Sequence, residues 1–152
     1  MPNKTILVTG STGMIGGYVV KDLIAKGHNA IGVDRRESDW KHDKFKQIVL
    51  APSDKYAIMN LFKQERVERA IHLAALAHKK GENDLSFEWY KLRNITCAEN
   101  VFEAWANNDV PVLFISTVDL IGFVKRLIKP DVALNHISDY GKSKAMAEVR
   151  LK

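Results

Sequence analysis

Three glycines, Gly10, Gly13 and Gly16, stand at Gly-x-x-Gly-x-x-Gly spacing directly after the apolar run Thr5-Ile6-Leu7-Val8-Thr9 and open an amphipathic stretch. A strand that turns on glycine into a helix leaves the helix's first N–H groups unpaired, and such groups hold anions. In that setting Gly10 makes the tight turn, Gly13 lets the backbone approach a pyrophosphate, and Gly16 lets the helix pack closely on the strand. Asp34 closes the next apolar run, eighteen residues after Gly16, where a carboxylate can accept both hydroxyls of a ribose. Loop and acid together point to a dinucleotide; the plainer reading is a glycine-rich turn beside a capping Asp.

The rest of the chain alternates short apolar runs with longer amphipathic segments, the pattern of βαβ units and a parallel sheet. Strands are expected at about Thr5 to Thr9, Asn29 to Asp34, Gln47 to Leu50, Arg69 to Leu73 and Val110 to Ser116. A helix from about Met14 to Lys26 carries Ile15, Val19, Leu23 and Ile24 on one stripe, with Gly27 placed to end it. A second runs from about Asp54, its N-cap, to Glu65, and a third from about Leu85 to Asn107 with Leu92, Ile95, Ala98, Phe102 and Trp105 at helical spacing. The final helix begins near Asp139, while His42 to Lys46 and Lys125 to Asn135 read as exposed connections. With 152 residues, no repeat and no linker, the chain reads as one domain.

Composition narrows the setting. The net charge of +5 is spread over lysines such as Lys41, Lys44, Lys46, Lys55, Lys63, Lys79 and Lys80 with acids between them, so a solvated surface is expected rather than a nucleic-acid partner. A single cysteine, Cys97, forms no internal disulfide, and a cytoplasmic location is the economical expectation. No run approaches the roughly 20 apolar residues of a membrane span, and Thr5-Ile6-Leu7-Val8-Thr9-Gly10 is too short for the apolar core of a signal peptide, so this segment is expected to be structure rather than address. No membrane partner and no metal are expected.

Asp34 repels a 2′-phosphate and favours NAD over NADP. Arg35 and Arg36 follow at once, and a guanidinium there either stacks on adenine, pairs with a 2′-phosphate or belongs to a solvated loop. Near the other end, Tyr140-Gly141-Lys142-Ser143-Lys144 puts a phenol and an ammonium one helical turn apart. A phenol of pKa about 10 is a poor base at neutral pH, but a nearby lysine and a cationic nicotinamide favour the phenolate, so Tyr140 can exchange a proton with a substrate hydroxyl. Ser116 and Thr117 end the fifth strand, where ligands of open α/β folds bind; their hydroxyls either hold a substrate oxygen or satisfy the strand end. Asp119 either caps the following loop or contacts substrate.

With these motifs in order, the chain resembles the NAD-dependent epimerase/dehydratase family, extended short-chain dehydrogenase/reductases that act on sugar nucleotides. The carrying residues are Val8 to Gly16, Val33-Asp34-Arg35, Ala70-Ile71-His72-Leu73-Ala74-Ala75, Asn94, Ile115-Ser116-Thr117 and Tyr140 to Lys144. Ala75-Leu76-Ala77-His78-Lys79 looks most like enzymes of surface-polysaccharide synthesis similar to UDP-sugar 4-epimerases. The resemblance implies a Rossmann-type doubly wound parallel sheet with helices on both faces. It implies that Gly10, Gly13 and Gly16 shape the pyrophosphate loop, with Met14 and Ile15 giving backbone contacts. Asp34, with Arg35 beside it, would bind the adenosine ribose; Leu73, Ala74 and Ala75 would line the nicotinamide side; Asn94 would support the cofactor; Lys144 would reach the nicotinamide ribose. Counting back from Gly122 puts Thr117 in the catalytic hydroxyl position, with Tyr140 and Lys144 completing the set, and His72 is a packing residue. A homodimer through the long and final helices is implied as well.

Three departures stand out. Ala51 occupies the place of an Asp that meets the adenine amine, Ile121 replaces a substrate-side Tyr, and the family continues for about as long again beyond Lys152, with a domain that grips the sugar nucleotide. The expected function is therefore the cofactor-binding part of a nucleotide-sugar epimerase or dehydratase, in which NAD takes a hydride from a sugar carbon while Tyr140 removes the hydroxyl proton. A non-catalytic NAD(P)-binding module, or an interaction domain using Trp89, Tyr90 and Phe102, are the competing readings.

Overall fold

The computed structural model describes residues 3–77, 86–122, 135 and 138–151. In chain order these form β1 (Thr5–Thr9), α1 (Met14–Ala25), β2 (Asn29–Asp34), β3 (Phe45–Val49), α2 (Lys55–Gln64), β4 (Arg69–His72) and α3 (Phe87–Tyr90). A π-helical segment (Lys91–Thr96) joins α3 to α4 (Cys97–Ala106), and β5 (Val112–Phe114), a 3-10 turn (Val118–Leu120) and α5 (Asp139–Leu151) follow. The strands pair in parallel in the order β3-β2-β1-β4-β5. That is the doubly wound arrangement expected from the alternation of strand and helix.

Strand period decides which side chain meets which helix. Ile6 and Val8 of β1 pack with Val20 and Ile24 of α1 and with Ala30. Leu7, pointing the other way, joins Ile31 and Val33 of β2, Ile58, Leu61 and Phe62 of α2, and Val101 and Ala104 of α4. The sheet is thus covered on both faces, as a parallel sheet requires. A third cluster, Ala98, Phe102 and Ala147 with Phe114 and Leu151 against it, fastens α5 to α4 and β5.

Several local expectations are corrected. On α1 the buried stripe is Gly16, Val20 and Ile24, and Ile15 is 57% exposed, because Gly16 is the residue that seats the helix. Strand β3 starts at Phe45 rather than Gln47; Phe45 packs against Trp40 with ring centroids 5.3 Å apart, so Phe45 and Lys46 belong to the sheet. The long helix contains the π-helical Lys91–Thr96, whose i→i+5 bonds turn Leu92 outward (43% exposed) and Asn94 inward. Asp54 caps α2 as expected, accepting the Ala57 N–H at 3.0 Å. Leu85, His78, Lys79, Lys80 and most of the expected connection from Lys125 to Asn135 lie outside the described residues.

Candidate functional site

Strand order reverses between β1 and β4, so the chain leaves their carboxyl ends in opposite directions and opens a crevice there. Gly10 follows β1 with φ +74°, a left-handed conformation that glycine adopts freely. A Cβ on Gly10 would stand 2.9 Å from the Ala74 nitrogen, and one on Gly16 only 2.0 Å from the Gly10 oxygen. These two glycines are therefore demanded by backbone packing. Gly13 differs: a Cβ there would meet only the Gly10 oxygen, at 3.1 Å, and Gly13 lines the crevice. It is the N-cap of α1, and no side chain caps that helix start. Met14 and Ile15 are exposed beside it.

The crevice holds about 190 Å³ and is lined by Gly10, Gly13, Asp34, Arg35, Arg36, Pro52, Leu73, Ala74, Ala75, Leu76, Arg93 and Cys97. Asp34 is half-buried, its carboxylate accepting the Thr12 N–H at 3.1 Å and the Arg36 N–H at 3.3 Å. Ala51 gives way to Pro52 in the lining, with the Pro52 carbonyl held by Asn100 Nδ2 at 3.0 Å. Burial pushes the Cys97 thiol up to about 11, which leaves it protonated and apolar. Pro52, Leu76, Arg93 and Cys97 are not among the expected cofactor-binding residues, since each reaches the crevice only through the tertiary fold. The hydroxyl oxygen of Thr12, inside the glycine loop, is buried with no partner. An open glycine, uncapped N–H groups and an orphaned hydroxyl on one loop are what a pyrophosphate would satisfy.

Leu73, Ala74 and Ala75 leave β4 on the opposite wall. Thr9 Oγ1 takes the Ala74 N–H at 3.2 Å and bonds His72 Nδ1 at 2.8 Å, fixing that turn. His72 is fully buried and stacks on Phe114 at 5.8 Å; burial, with a smaller push from Lys144, lowers it to about 3. It is neutral and works as a packing residue. Asn94 does not face the crevice directly. Its side chain is buried, with Oδ1 accepting the Leu76 N–H at 2.6 Å and Nδ2 donating to the Leu76 carbonyl at 3.0 Å and to Ser143 Oγ at 2.8 Å. Ser143, which the motif carries without an expected role, donates in turn to the Tyr140 carbonyl at 2.7 Å. Asn94 thus ties the crevice wall to α5.

Thr117, Tyr140 and Lys144 come together at the end of β5. The Thr117 hydroxyl lies close enough to the Tyr140 phenol to favour its ionised form, and Thr117 Oγ1 accepts the Asp119 N–H at 3.2 Å. Ser116 Oγ is buried without a partner, so Thr117 is the hydroxyl that reaches the phenol. Burial raises the Tyr140 pKa; the nearby Thr117 hydroxyl pulls it down and the Asp119 carboxylate pushes it up again. Lys144 is 3% exposed, its Nζ 3.9 Å from the Phe114 ring centre, and burial lowers it to about 8. The expectation that Lys144 lowers Tyr140 is not met at rest, because the ammonium sits over an aromatic face and the net effect on the phenol is upward. Among the described residues no group of three or more His, Cys, Asp or Glu is placed to hold a metal.

Residues 6–152 match the profile of the NAD dependent epimerase/dehydratase family. The chain belongs to that family. A UDP-glucose 4-epimerase from Lactobacillus helveticus is 28% identical over 151 residues, covering 94% of this chain and 44% of the relative. One from Drosophila melanogaster is 26% identical, covering 100% of this chain and 49% of the relative. Among solved structures, the Thermotoga maritima UDP-glucose 4-epimerase with UDP-glucose superposes with TM-score 0.86 at 28% identity, covering 97% of this chain and 50% of that one. The Bordetella bronchiseptica enzyme WbmG in complex with NAD shares the fold at TM-score 0.86 and 21% identity. The chain spans about half the length of the curated relatives it matches.

Proposed function

We propose that this chain binds NAD in the β1/β4 crevice and carries the proton-transfer residues of a nucleotide-sugar epimerase or dehydratase, with a UDP-sugar as substrate. The observation that carries the reading is the nearness of the Thr117 hydroxyl to the Tyr140 phenol, with Lys144 buried one helical turn further along α5. NAD supplies a hydride acceptor when bound. Gly13 and the first-turn N–H groups of α1 hold the pyrophosphate, Asp34 takes the adenosine ribose hydroxyls, and Leu73, Ala74 and Ala75 form the apolar wall. Tyr140 exchanges the proton of the substrate hydroxyl, Thr117 holds the same oxygen, and Lys144 supplies positive charge to the phenol and the ribose.

The relatives whose complexes hold UDP-glucose and NAD support the substrate class, and their length supports a further substrate-gripping part in the working enzyme. A homodimer through α4 and α5 belongs to the same reading; Met146 and Val149 of α5 face outward. A reducing, cytoplasmic setting suits Cys97, a lone buried thiol. The interaction-domain alternative loses two of its three aromatics, since Tyr90 and Phe102 are buried and only Trp89 is exposed.

Titration with NAD and NADP, followed by tryptophan fluorescence or calorimetry, tests the proposal. Trp89 reports on the crevice through Arg93, whose guanidinium lies 5.7 Å from its ring centre. NAD is expected to bind more tightly, because Asp34 meets the 2′-phosphate with like charge. Equal or tighter binding of NADP would mean that Arg35 outweighs the carboxylate; no binding of either would sink the reading.

A further inference from the structure

Thr117 and Tyr140 come from different elements, one at the end of β5 and the other on the first turn of α5, so something must set the distance between them. The contacts that bridge the two elements converge on one residue. The Asp119 N–H donates to Thr117 Oγ1 at 3.2 Å. Its carboxylate Oδ2 accepts the Ser138 hydroxyl proton. Ser138 Oγ, at the start of α5, accepts the Gly141 N–H at 2.9 Å. Gly141 presses on the same residue: a Cβ there would lie 2.8 Å from the Asp119 carbonyl oxygen and 3.2 Å from Oδ2. Glycine at 141 is thus required by the closeness of Asp119.

We propose that Asp119 is a positioning residue for the Thr117–Tyr140 pair: its backbone fixes the hydroxyl, its carboxylate clamps the first turn of α5 through Ser138, and its charge faces the phenol. It acts through these neighbours and need not touch substrate. The charged groups around the phenol are few among the described residues. Asp119 faces it from the 3-10 turn, Lys144 lies one turn further along α5, exposed Asp139 precedes it, and Lys142 is drawn aside over the Phe87 ring at 4.3 Å. Asp119 therefore holds the phenol protonated while it holds it in place. The same residue supplies geometry and restraint.

The proposal rests on Tyr140 as the proton-exchanging phenol, and its test does not depend on cofactor binding or turnover. Tyrosinate absorbance is followed against pH in the full chain and in Asp119→Asn, with Tyr140→Phe in each background subtracted to remove Tyr18, Tyr56 and Tyr90. The amide still accepts from Ser138 but carries no charge, so Tyr140 is expected to ionise about half a pH unit or more lower. A loop cap with no further role would leave that titration where it stands in the parent, and this outcome would overturn the proposal. Ser138→Ala keeps the charge and opens the clamp. Nitration of Tyr140 by tetranitromethane, read by peptide mass spectrometry, should then run several-fold faster than in the parent; an unchanged rate would remove the clamp from the argument. Should Asp119→Asn fail to fold, the Ser138→Ala rate decides alone. Loss of NAD binding with these shifts intact would count against the proposed function and leave Asp119's role standing.

Discussion

Replacing Lys144 with methionine should make the chain more stable at pH 7. The ammonium is 3% exposed, and burial lowers its pKa from 10.5 to about 8. At about 1.4 kcal/mol for each pH unit, that drop corresponds to about 3 kcal/mol lost on folding with the proton in place. The Phe114 ring beneath Nζ returns about 1 kcal/mol as a cation–π contact. Methionine has similar length, no charge to desolvate, and a sulfur that also favours an aromatic neighbour. The net gain is about 2 kcal/mol, which for a chain of this size raises the melting temperature by about 4–8 °C.

The sign has a pH signature. Below pH 8 both folded and unfolded chains carry the Lys144 proton, and the penalty is present in full. Between about 8 and 10.5 the folded chain gives up that proton while the unfolded chain keeps it, so the parent gains stability with rising pH and the methionine variant does not. Thermal or urea unfolding at pH 7 and pH 10 should show the gap between the two narrowing. A methionine variant that melts below the parent at pH 7, or a gap that stays constant to pH 10, would refute the reasoning. It would mean that the ammonium is held by contacts stronger than its desolvation.

Gly13→Val should fold and lose NAD binding, whereas Gly16→Ala, whose Cβ would stand 2.0 Å from a backbone oxygen, should lose about 3 kcal/mol or more of stability; circular dichroism melts and calorimetry separate the two. Tyr140→Phe should leave NAD binding nearly intact. His72, at about 3 in the fold against an ordinary 6.5, stays neutral while the unfolded chain protonates. Stability should therefore fall by about 1.4 kcal/mol per pH unit as pH drops from 6.5 towards 3, and His72→Gln should flatten that part of the curve. Sedimentation at tens of micromolar should show a dimer. Incubated with NAD and UDP-, GDP- or dTDP-sugars, the 152-residue chain should give negligible turnover by absorbance and chromatography, because misplacing the sugar carbon by about 1 Å loses roughly a hundredfold in rate; turnover abolished by Tyr140→Phe would overturn this.

Features written in short-range sequence were legible before the fold was seen. The glycine loop, Asp34, the cap at Asp54 and the strands β1 and β2 each follow from residues a few positions apart. What escaped depends on distance in space. Nothing in the apolar period marks Lys91–Thr96 as π-helical, because the widened turn serves Asn94's bonds to Leu76 and Ser143, partners 18 and 49 positions away. Ile15 looks like a core residue until Gly16 is found pressed against Gly10. Asp119 was ambiguous for the same reason: its partners Ser138 and Gly141 lie beyond the intervening connection.

The titrations at the site run opposite to a simple lysine-assisted tyrosine. Burial and Asp119 raise Tyr140 above 10 while burial brings Lys144 down to about 8, so on raising the pH the ammonium loses its proton before the phenol does. A phenol raised above its ordinary value keeps its proton at neutral pH. For Tyr140 to act as the proposed base, positive charge must be added beside it, and an oxidised nicotinamide would be a cation of that kind. Under the proposed function, a cationic nicotinamide bound in the crevice would offset the Asp119 charge, whereas burial and Asp119 by themselves keep the proton on Tyr140.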